Sequence, residues 1–209
     1  MDLYLEWLNL CQRIGAKGSI DEIFNELTWR YREKHRHYHD FSHIAHCLSE
    51  LKQAWRLARD PDKVAMALWF HDVIYETNRD DNEEKSADLA KDACRKMQLP
   101  DSFGERVSEL VLSSKYHRGR PDDPDEQLFT DIDLSSWGKP HEEFKRDTTK
   151  IRAEYSWVPE DVFRSKRAEI LYEFLKRPRI YSTDLFLQKY ETRARENLKR
   201  SIAELKTGV

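Results

Sequence analysis

Three observations on the 209-residue chain predict an all-α fold. Apolar residues recur at helical spacing along most of the sequence, no segment alternates strictly between apolar and polar residues, and only six glycines and seven prolines interrupt the pattern. The length fits one domain with a sizeable core. We therefore predict a single-domain helical bundle over residues 1–209, with residues 141–209 as a C-terminal helical extension packed on it.

Four helices are predicted in the N-terminal third. Their apolar stripes lie within residues 3–14, 23–31, 44–55 and 64–75. Asp40 has the right chemistry to cap the third helix. The fourth segment is almost wholly apolar, so we predict that it lies at the centre of the bundle.

The remaining elements follow from breaks in the pattern. Residues 119–125, which contain two prolines and three aspartates, are predicted to form a loop, and a helix should open at Leu128. Pro159 and Pro178 separate the last helices. The predicted helices here are residues 83–98, 101–116, 141–157, 160–177 and 183–205.

Composition excludes several classes of function. Charged residues make up 36% of the chain, yet the net charge is only -3 and the pI is about 6.3, so we expect no nucleic-acid polymer as a partner. The amphipathic start carries Asp2 and Glu6 and does not read as a secretory signal. No apolar run approaches the roughly 18 residues of a membrane helix, so we expect no membrane partner and a cytoplasmic location. The sequence makes no prediction of the oligomeric state.

The three cysteines are predicted to be buried, reduced thiols. Cys11, Cys47 and Cys94 lie far apart in helix-like segments, and no Cys-x-x-Cys pair is present. The chain also lacks the Gly-x-x-x-x-Gly-Lys loop of one class of NTPase and the Gly-x-Ser-x-Gly elbow of serine hydrolases.

The most informative local feature is the pair His71-Asp72, which interrupts an apolar run from Ala67 to Tyr75. An imidazole and a carboxylate are costly to bury unless something compensates them. A divalent cation can do so, because both groups are good ligands.

Further ligand candidates lie upstream and downstream of this pair. If a helix begins near Asp40, His43 and His46 share a face one turn apart, and His39 lies just ahead of them. Downstream, Asp131 and Asp133 flank Ile132. Imidazoles and carboxylates from separate helices can close around one cation in a bundle core.

The order of these residues resembles the HD superfamily of metal-dependent phosphohydrolases, and most closely its predicted, little-characterised HD phosphohydrolase branch. The matching segments are Tyr38-His39-x-x-x-His43-Ile44, His71-Asp72, Asp131-x-Asp133-Leu134, Asn82-Glu83-Glu84-Lys85-Ser86-Ala87, Ile151-Arg152-Ala153-Glu154-Tyr155, Arg179-Ile180-Tyr181 and Glu191-x-x-Ala194-Arg195-x-Asn197-Leu198. The resemblance implies a helical fold of the HD-domain type.

It also implies the roles of several residues. The metal ligands would be His43, His71, Asp72 and Asp133, with Asp131 as the alternative to Asp133. Cyclic-nucleotide phosphodiesterases of the same superfamily share a Tyr-His-Asn-x-x-His pattern whose first histidine donates a proton, which makes His39 a candidate general acid. This chain has Asp40 where that pattern has Asn.

Other candidate residues keep two interpretations each. Arg36, Lys115 and Arg152 are the basic residues nearest in sequence to the site or its motifs, and each is either a substrate-phosphate contact or a solvated charge. Glu83 either orients a water in catalysis or is an acidic residue in the first turn of a helix. His117 is either a contact at the edge of the site or a polar loop residue.

The resulting prediction is a divalent-metal-dependent phosphohydrolase that uses metal-activated water on a phosphate ester, either a nucleotide or a small phosphorylated metabolite. Asp72 would bind metal and help to orient the nucleophile. The cation would be Mn, Co, Ni, Mg, Fe or Zn. Whether a second metal ion binds, with Glu83 or His117 as an additional ligand, stays open. The alternatives are a non-catalytic, metal-containing module for ligand binding or signalling and a plain helical interaction protein.

Overall fold

A computed structural model describes residues 1–207 of the chain. Within that range the structure contains ten α-helices and no β-strand, which confirms the predicted all-α helical bundle. The helices are α1 (Leu3–Arg13), α2 (Ile20–Arg30), α3 (Phe41–Ala54), α4 (Pro61–Phe70), α5 (Asn82–Lys96), α6 (Asp101–Ser113), α7 (Pro124–Leu134), α8 (His141–Glu154), α9 (Glu160–Lys176) and α10 (Asp184–Thr207). Short 3-10 helices lie at Trp55–Leu57, Ser114–Tyr116 and Ser135–Gly138.

Helix α4 lies at the centre of the bundle, as its composition predicts. Every residue from Val64 to Phe70 is buried, and α4 contacts α1, α3, α5, α6 and α7. A helix with no polar face has to be surrounded on all sides. The chain that leaves α4 therefore starts deep inside the molecule.

The end of α4 differs from the prediction. The apolar run continues to Tyr75, but the helix ends at Phe70 and His71 is its C-cap. The buried guanidinium of Arg36 donates hydrogen bonds to the carbonyl oxygens of Asp72 and Val73, 2.6 and 2.9 Å away. Because these carbonyls are satisfied outside a helix, the apolar segment leaves the helical path without leaving polar backbone groups unpaired.

Helix α7 begins earlier than predicted. It starts at Pro124, inside the segment predicted as a loop. The carboxylate of Asp123 caps it by accepting hydrogen bonds from the amides of Asp125 and Glu126, and proline is well suited to the first helical position. The prolines and aspartates of this segment are therefore helix-start residues as well as loop residues.

The last three helices pack on the rest of the bundle. Helix α10 runs against α9 and α8 and against the 3-10 turn at Ser135–Gly138. Gly138 is required there, because a Cβ atom would lie 2.5 Å from the side chain of Tyr190. The predicted breaks at Pro159 and Pro178 are confirmed, since α9 begins at Glu160 and ends at Lys176.

The three cysteines are in the state that the sequence predicts. Cys11, Cys47 and Cys94 are buried and unbonded to one another, as predicted. Burial raises the pKa of the Cys11 and Cys94 thiols to about 12. No helix within residues 1–207 combines the length and apolarity needed to cross a bilayer.

Candidate metal centre and adjoining cavity

Three helix termini meet at the candidate centre. His43 lies in the first turn of α3, whose start is fixed by the Asp40 carboxylate accepting a hydrogen bond from the Ser42 amide. His71 and Asp72 follow the last residue of α4, and Asp133 lies in the last turn of α7. Residues from three distant parts of the sequence are thereby held on rigid elements.

The ligand atoms of these side chains converge on one point. Nε2 of His43 lies 3.1 Å from Nε2 of His71 and 3.2 Å from Oδ1 of Asp133. Oδ2 of Asp72 lies 2.9 Å from Nε2 of His71 and 3.6 Å from that of His43. The His43–His71–Asp133 group is buried and could hold a metal ion. Asp72 adds a second carboxylate to the same cluster.

The chemistry of this donor set fits a divalent cation. Nδ1 of His71 lies 3.0 Å from the carbonyl oxygen of Leu68, which can only accept, so Nδ1 carries a proton and Nε2 is the nitrogen that faces the cluster. This Nε2 lies 3.1 Å from Nε2 of His43, so a proton or a cation between the two nitrogens would stabilise the pair. Two imidazoles and two carboxylates are a usual ligand set for first-row divalent metals.

The imidazoles and carboxylates of the cluster shift one another's pKa values. Burial by itself raises the pKa of Asp133, but the adjacent His117, His43 and His71 outweigh it and hold that pKa well below its usual range. Burial likewise opposes charge on His71, yet Asp72 and Asp133 raise its pKa well above the ordinary value. The site therefore favours ionised carboxylates opposite positive charge, which a metal ion would supply.

Asp131, the alternative ligand, lies outside the cluster. Its Oδ1 accepts a hydrogen bond from the amide of Ser182, and its Oδ2 accepts two from the amide and hydroxyl of Thr183, all at 2.7 Å. Both oxygens are thus committed to the backbone just before α10. Of the two aspartates that flank Ile132, Asp133 is the one in the candidate centre.

We expect Asp131→Asn to lower the free energy of unfolding by about 1–3 kcal/mol without affecting metal binding. The amide keeps one acceptor oxygen, so one group before α10 loses its buried partner. Thermal unfolding and metal titration of the same variant test this. An unchanged unfolding temperature combined with lost metal affinity would contradict the assignment of both aspartates.

His117 lies at the edge of the centre. Its Nδ1 is 3.1 Å from Oδ2 of Asp133, and its backbone adopts the left-handed region with a φ of 42°. The guanidinium of Arg177 donates to the carbonyl oxygens of His117 and Tyr116 and holds this conformation. Strained backbone maintained by surrounding contacts is typical of functional sites. Of the two interpretations left open for His117, the geometry agrees with the contact at the edge of the site.

His39 is positioned by Glu154, a residue to which the sequence analysis assigned no role. Oε2 of Glu154 lies 2.7 Å from Nδ1 of His39 and accepts a hydrogen bond from the hydroxyl of Tyr75. Oε1 accepts from the amides of His37, Tyr38 and His39. Burial raises the pKa of Glu154, but His39 and these amides outweigh it and lower it to about 2. Nδ1 of His39 is therefore the protonated nitrogen, and Nε2 is free to exchange a proton.

A cavity of about 820 Å³ adjoins the centre. His71, Asp72, Asp133, His117 and His39 all line it, so three of the four predicted ligands and the predicted acid share one space. The ring of His39 stacks on that of Tyr75, with centroids 4.1 Å apart. The cavity is also lined by Arg79, Glu83, Lys115, Lys166 and Arg167 and by Trp137, Trp157, Val162 and Ile170.

Two further predicted site residues also reach the cavity. Glu83 lines it from the first turn of α5, a position that fits both of its interpretations. Lys115 lines it as well, but its ammonium donates to the carboxylate of Glu84 and to the carbonyl oxygen of Asp80. Its role as a phosphate contact stays a prediction.

The prediction that Arg36 contacts substrate is wrong. Its side chain has no exposed surface, and its guanidinium donates to Glu33 and to the carbonyl oxygens of His39, Asp72 and Val73. All of its donors point into the protein. Arg36 instead fastens the segment that carries His39 to the segment that carries Asp72.

The structure places Arg152 away from the candidate centre, and its role as a phosphate contact stays a prediction. Its guanidinium donates to the carboxylate of Glu160 and to the carbonyl oxygens of Tyr155 and Val158. These contacts hold the turn between α8 and α9, and Arg152 lines a separate, smaller cavity of about 310 Å³. It does not line the cavity of the candidate centre.

Comparison of the chain with family models, with curated proteins and with solved structures finds no match. The resemblance to HD phosphohydrolases therefore stays a prediction.

Proposed function

We propose that the chain is a divalent-metal-dependent phosphohydrolase. The observation that carries the proposal is the convergence of His43, His71, Asp72 and Asp133 at the wall of a cavity that also contains His39. A buried metal-ligand set beside an accessible cavity, with an acid–base residue oriented by a buried carboxylate, is the arrangement expected of a hydrolytic site.

The four ligand side chains would hold the cation on the termini of three helices. A divalent cation bound there supplies a water whose pKa falls from about 15.7 towards 7 and a positive charge for the phosphoryl oxygens. The two carboxylates and two imidazoles have mixed hardness, so Mn, Fe, Co, Ni and Zn are all suitable, and Mg is included for its preference for oxygen.

His39 would act as the general acid. Glu154 holds its Nδ1–H, so the imidazole is fixed in one orientation and its Nε2 is the nitrogen that donates a proton to the leaving oxygen. Stacking on Tyr75 restricts rotation of the ring. The donor is therefore oriented before the substrate enters, which reduces the entropic cost of the transition state.

A panel of nucleotides and phosphorylated metabolites tests the proposal. The native protein is stripped with a chelator, reloaded separately with each of the six cations, and assayed beside Asp72→Asn and Asp131→Asn. We expect metal-dependent release of phosphate by the native protein and by Asp131→Asn, and a loss of at least about a hundredfold in Asp72→Asn. Metal binding without hydrolysis of any ester would favour the non-catalytic module instead.

A further inference from the structure

One wall of the cavity is apolar and exposed. Val162 and Ile170 lie eight residues apart and therefore on one face of α9, and both line the cavity with Trp157 from the preceding turn. Their exposed fractions are 45%, 49% and 61%, respectively. The indole N–H of Trp157 donates to the hydroxyl of Thr77 at 2.7 Å, which fixes the ring. These three residues, the α9 wall, present a preformed apolar surface to a ligand.

One cation of the same cavity is unpaired. Arg79, Lys115 and Lys166 each form an ion pair with a nearby carboxylate. Within residues 1–207, Arg167 forms no such pair, and its Nε is buried without a hydrogen-bond partner. Arg167 follows Lys166 on α9, lies between Val162 and Ile170 in sequence, and lines the same cavity.

Among residues 1–207, the groups that act on this guanidinium are neutral phenols and not carboxylates. Burial lowers the pKa of Arg167, and the groups that act on it electrostatically are the phenols of Tyr155, Tyr38 and Tyr75. The pKa of each phenol is itself raised, so all three are neutral at physiological pH. A buried charge without a partner is costly, and an anion in the cavity would remove that cost. The planar fork of a guanidinium matches phosphate oxygens in a bidentate manner.

We propose that Arg167 binds phosphate oxygens of the ligand while the α9 wall binds its organic group. The cavity is then specific for phosphate esters with an aromatic or bulky apolar group, rather than for small polar ones. The inference deepens the proposed function and rests on it for the identity of the anion. Arg167 would then make the phosphate contact for which the sequence offered Arg36, Lys115 and Arg152 as candidates.

Two non-hydrolysable probes test the inference by binding alone. Phenylphosphonate and methylphosphonate are titrated into the Mn²⁺-loaded protein, with binding followed by calorimetry and by the fluorescence of Trp137 and Trp157. We expect phenylphosphonate to bind at least about tenfold more tightly, because its ring buries apolar surface against the α9 wall. Arg167→Met should weaken both probes at least about tenfold, whereas Ile170→Ser should weaken only phenylphosphonate.

Lys166→Met is the matched control. It removes the same charge from the adjacent position, where the side chain is 72% exposed and its ammonium is paired with Glu169. We expect both dissociation constants to stay within about threefold of native, because exposed pairs contribute little. Thermal unfolding checks the fold of Arg167→Met, which should be at least as stable as native because an unpaired buried charge is removed.

Three results would overturn the inference. They are native-like binding of both probes by Arg167→Met, equal affinities of the native protein for both probes, and no binding of either probe. None of these measurements requires turnover. If the ester panel is not hydrolysed but the probes bind as expected, the proposed function fails and the ligand class stands.

Discussion

Asp133→Asn is expected to abolish the stabilisation of the protein by divalent metal. For the native chain, a free metal concentration one hundred times the Kd adds about 2.7 kcal/mol to the free energy of unfolding. In a domain of this size that raises the unfolding temperature by about 5–11 °C. Oδ1 of Asp133 lies 3.2 Å from Nε2 of His43 and 3.5 Å from that of His71, so the variant loses a central, charged ligand.

The size of the remaining shift is the discriminating measurement. If the Kd rises at least about a hundredfold, the same metal concentration adds at most about 0.4 kcal/mol, and the shift falls below about 2 °C. Asp131→Asn is the control, since it starts from a lower unfolding temperature but should keep the full shift. A native-sized shift in Asp133→Asn would show that the metal binds elsewhere.

Glu154→Gln is expected to lower kcat by about 10²–10⁴-fold while KM changes little. A glutamine at this position can still accept the backbone amides with its oxygen, but its NH₂ group then faces Nδ1 of His39. Nδ1–H would lose its carboxylate acceptor, so the doubly protonated imidazole that can release a proton from Nε2 would no longer be stabilised. Steady-state kinetics of an ester with a poor leaving group measure the effect, because such a substrate depends most on the general acid.

Tyr75→Phe is the matched control for this variant. It removes the other side-chain donor to Oε2 of Glu154, a hydroxyl 3.1 Å away, but leaves the bond to His39. We expect kcat to fall less than about tenfold, in line with the loss of one supporting hydrogen bond. An equal loss in the two variants would mean that Glu154 acts only by holding the local structure.

The same glutamate makes folding stability sensitive to acid. Its pKa is lowered to about 2 in the folded protein from an ordinary value of 4.5, so its contribution is fully present above pH 4.5 and is lost as the pH falls towards 2. The shift corresponds to about 3 kcal/mol. Chemical unfolding measures the free energy of unfolding of native protein and Glu154→Gln at pH 7 and at pH 3. The difference between the two proteins should be smaller at pH 3, and an equal difference at both pH values would contradict the lowered pKa of Glu154.

The sequence predicts the fold and the cluster well because both depend on local chemistry. Apolar residues recur at helical spacing in every segment, and the absence of a polar face on α4 indicates its central position. His71-Asp72 is conspicuous for the same reason, since polar residues in an apolar run need compensation. Asp40 in front of Ser42 is an ordinary cap signal, and it fixes the turn that carries His43.

The sequence could not assign the residues whose partners are distant or are backbone atoms. Glu154 and His39 are 115 residues apart, and a glutamate at the end of a charged helix looks like any solvated residue. Arg36 lies among other basic and polar residues, and its acceptors are mostly carbonyl oxygens, which every residue carries. Arg167 and Lys166 are adjacent basic residues, and only their surroundings in the folded chain distinguish a buried, unpaired charge from an exposed, paired one.

The double attachment made by Arg36 sets a condition on any attempt to rebuild this centre elsewhere. The guanidinium of Arg36 connects the segment that carries His39 to the segment that carries Asp72. It therefore helps to set the distance between the proton donor and the metal ligands. A lysine has three donors on one nitrogen and could not make all four hydrogen bonds of this guanidinium. A new helical scaffold that received only the general acid and the metal ligands would therefore lack the group that sets the distance between them.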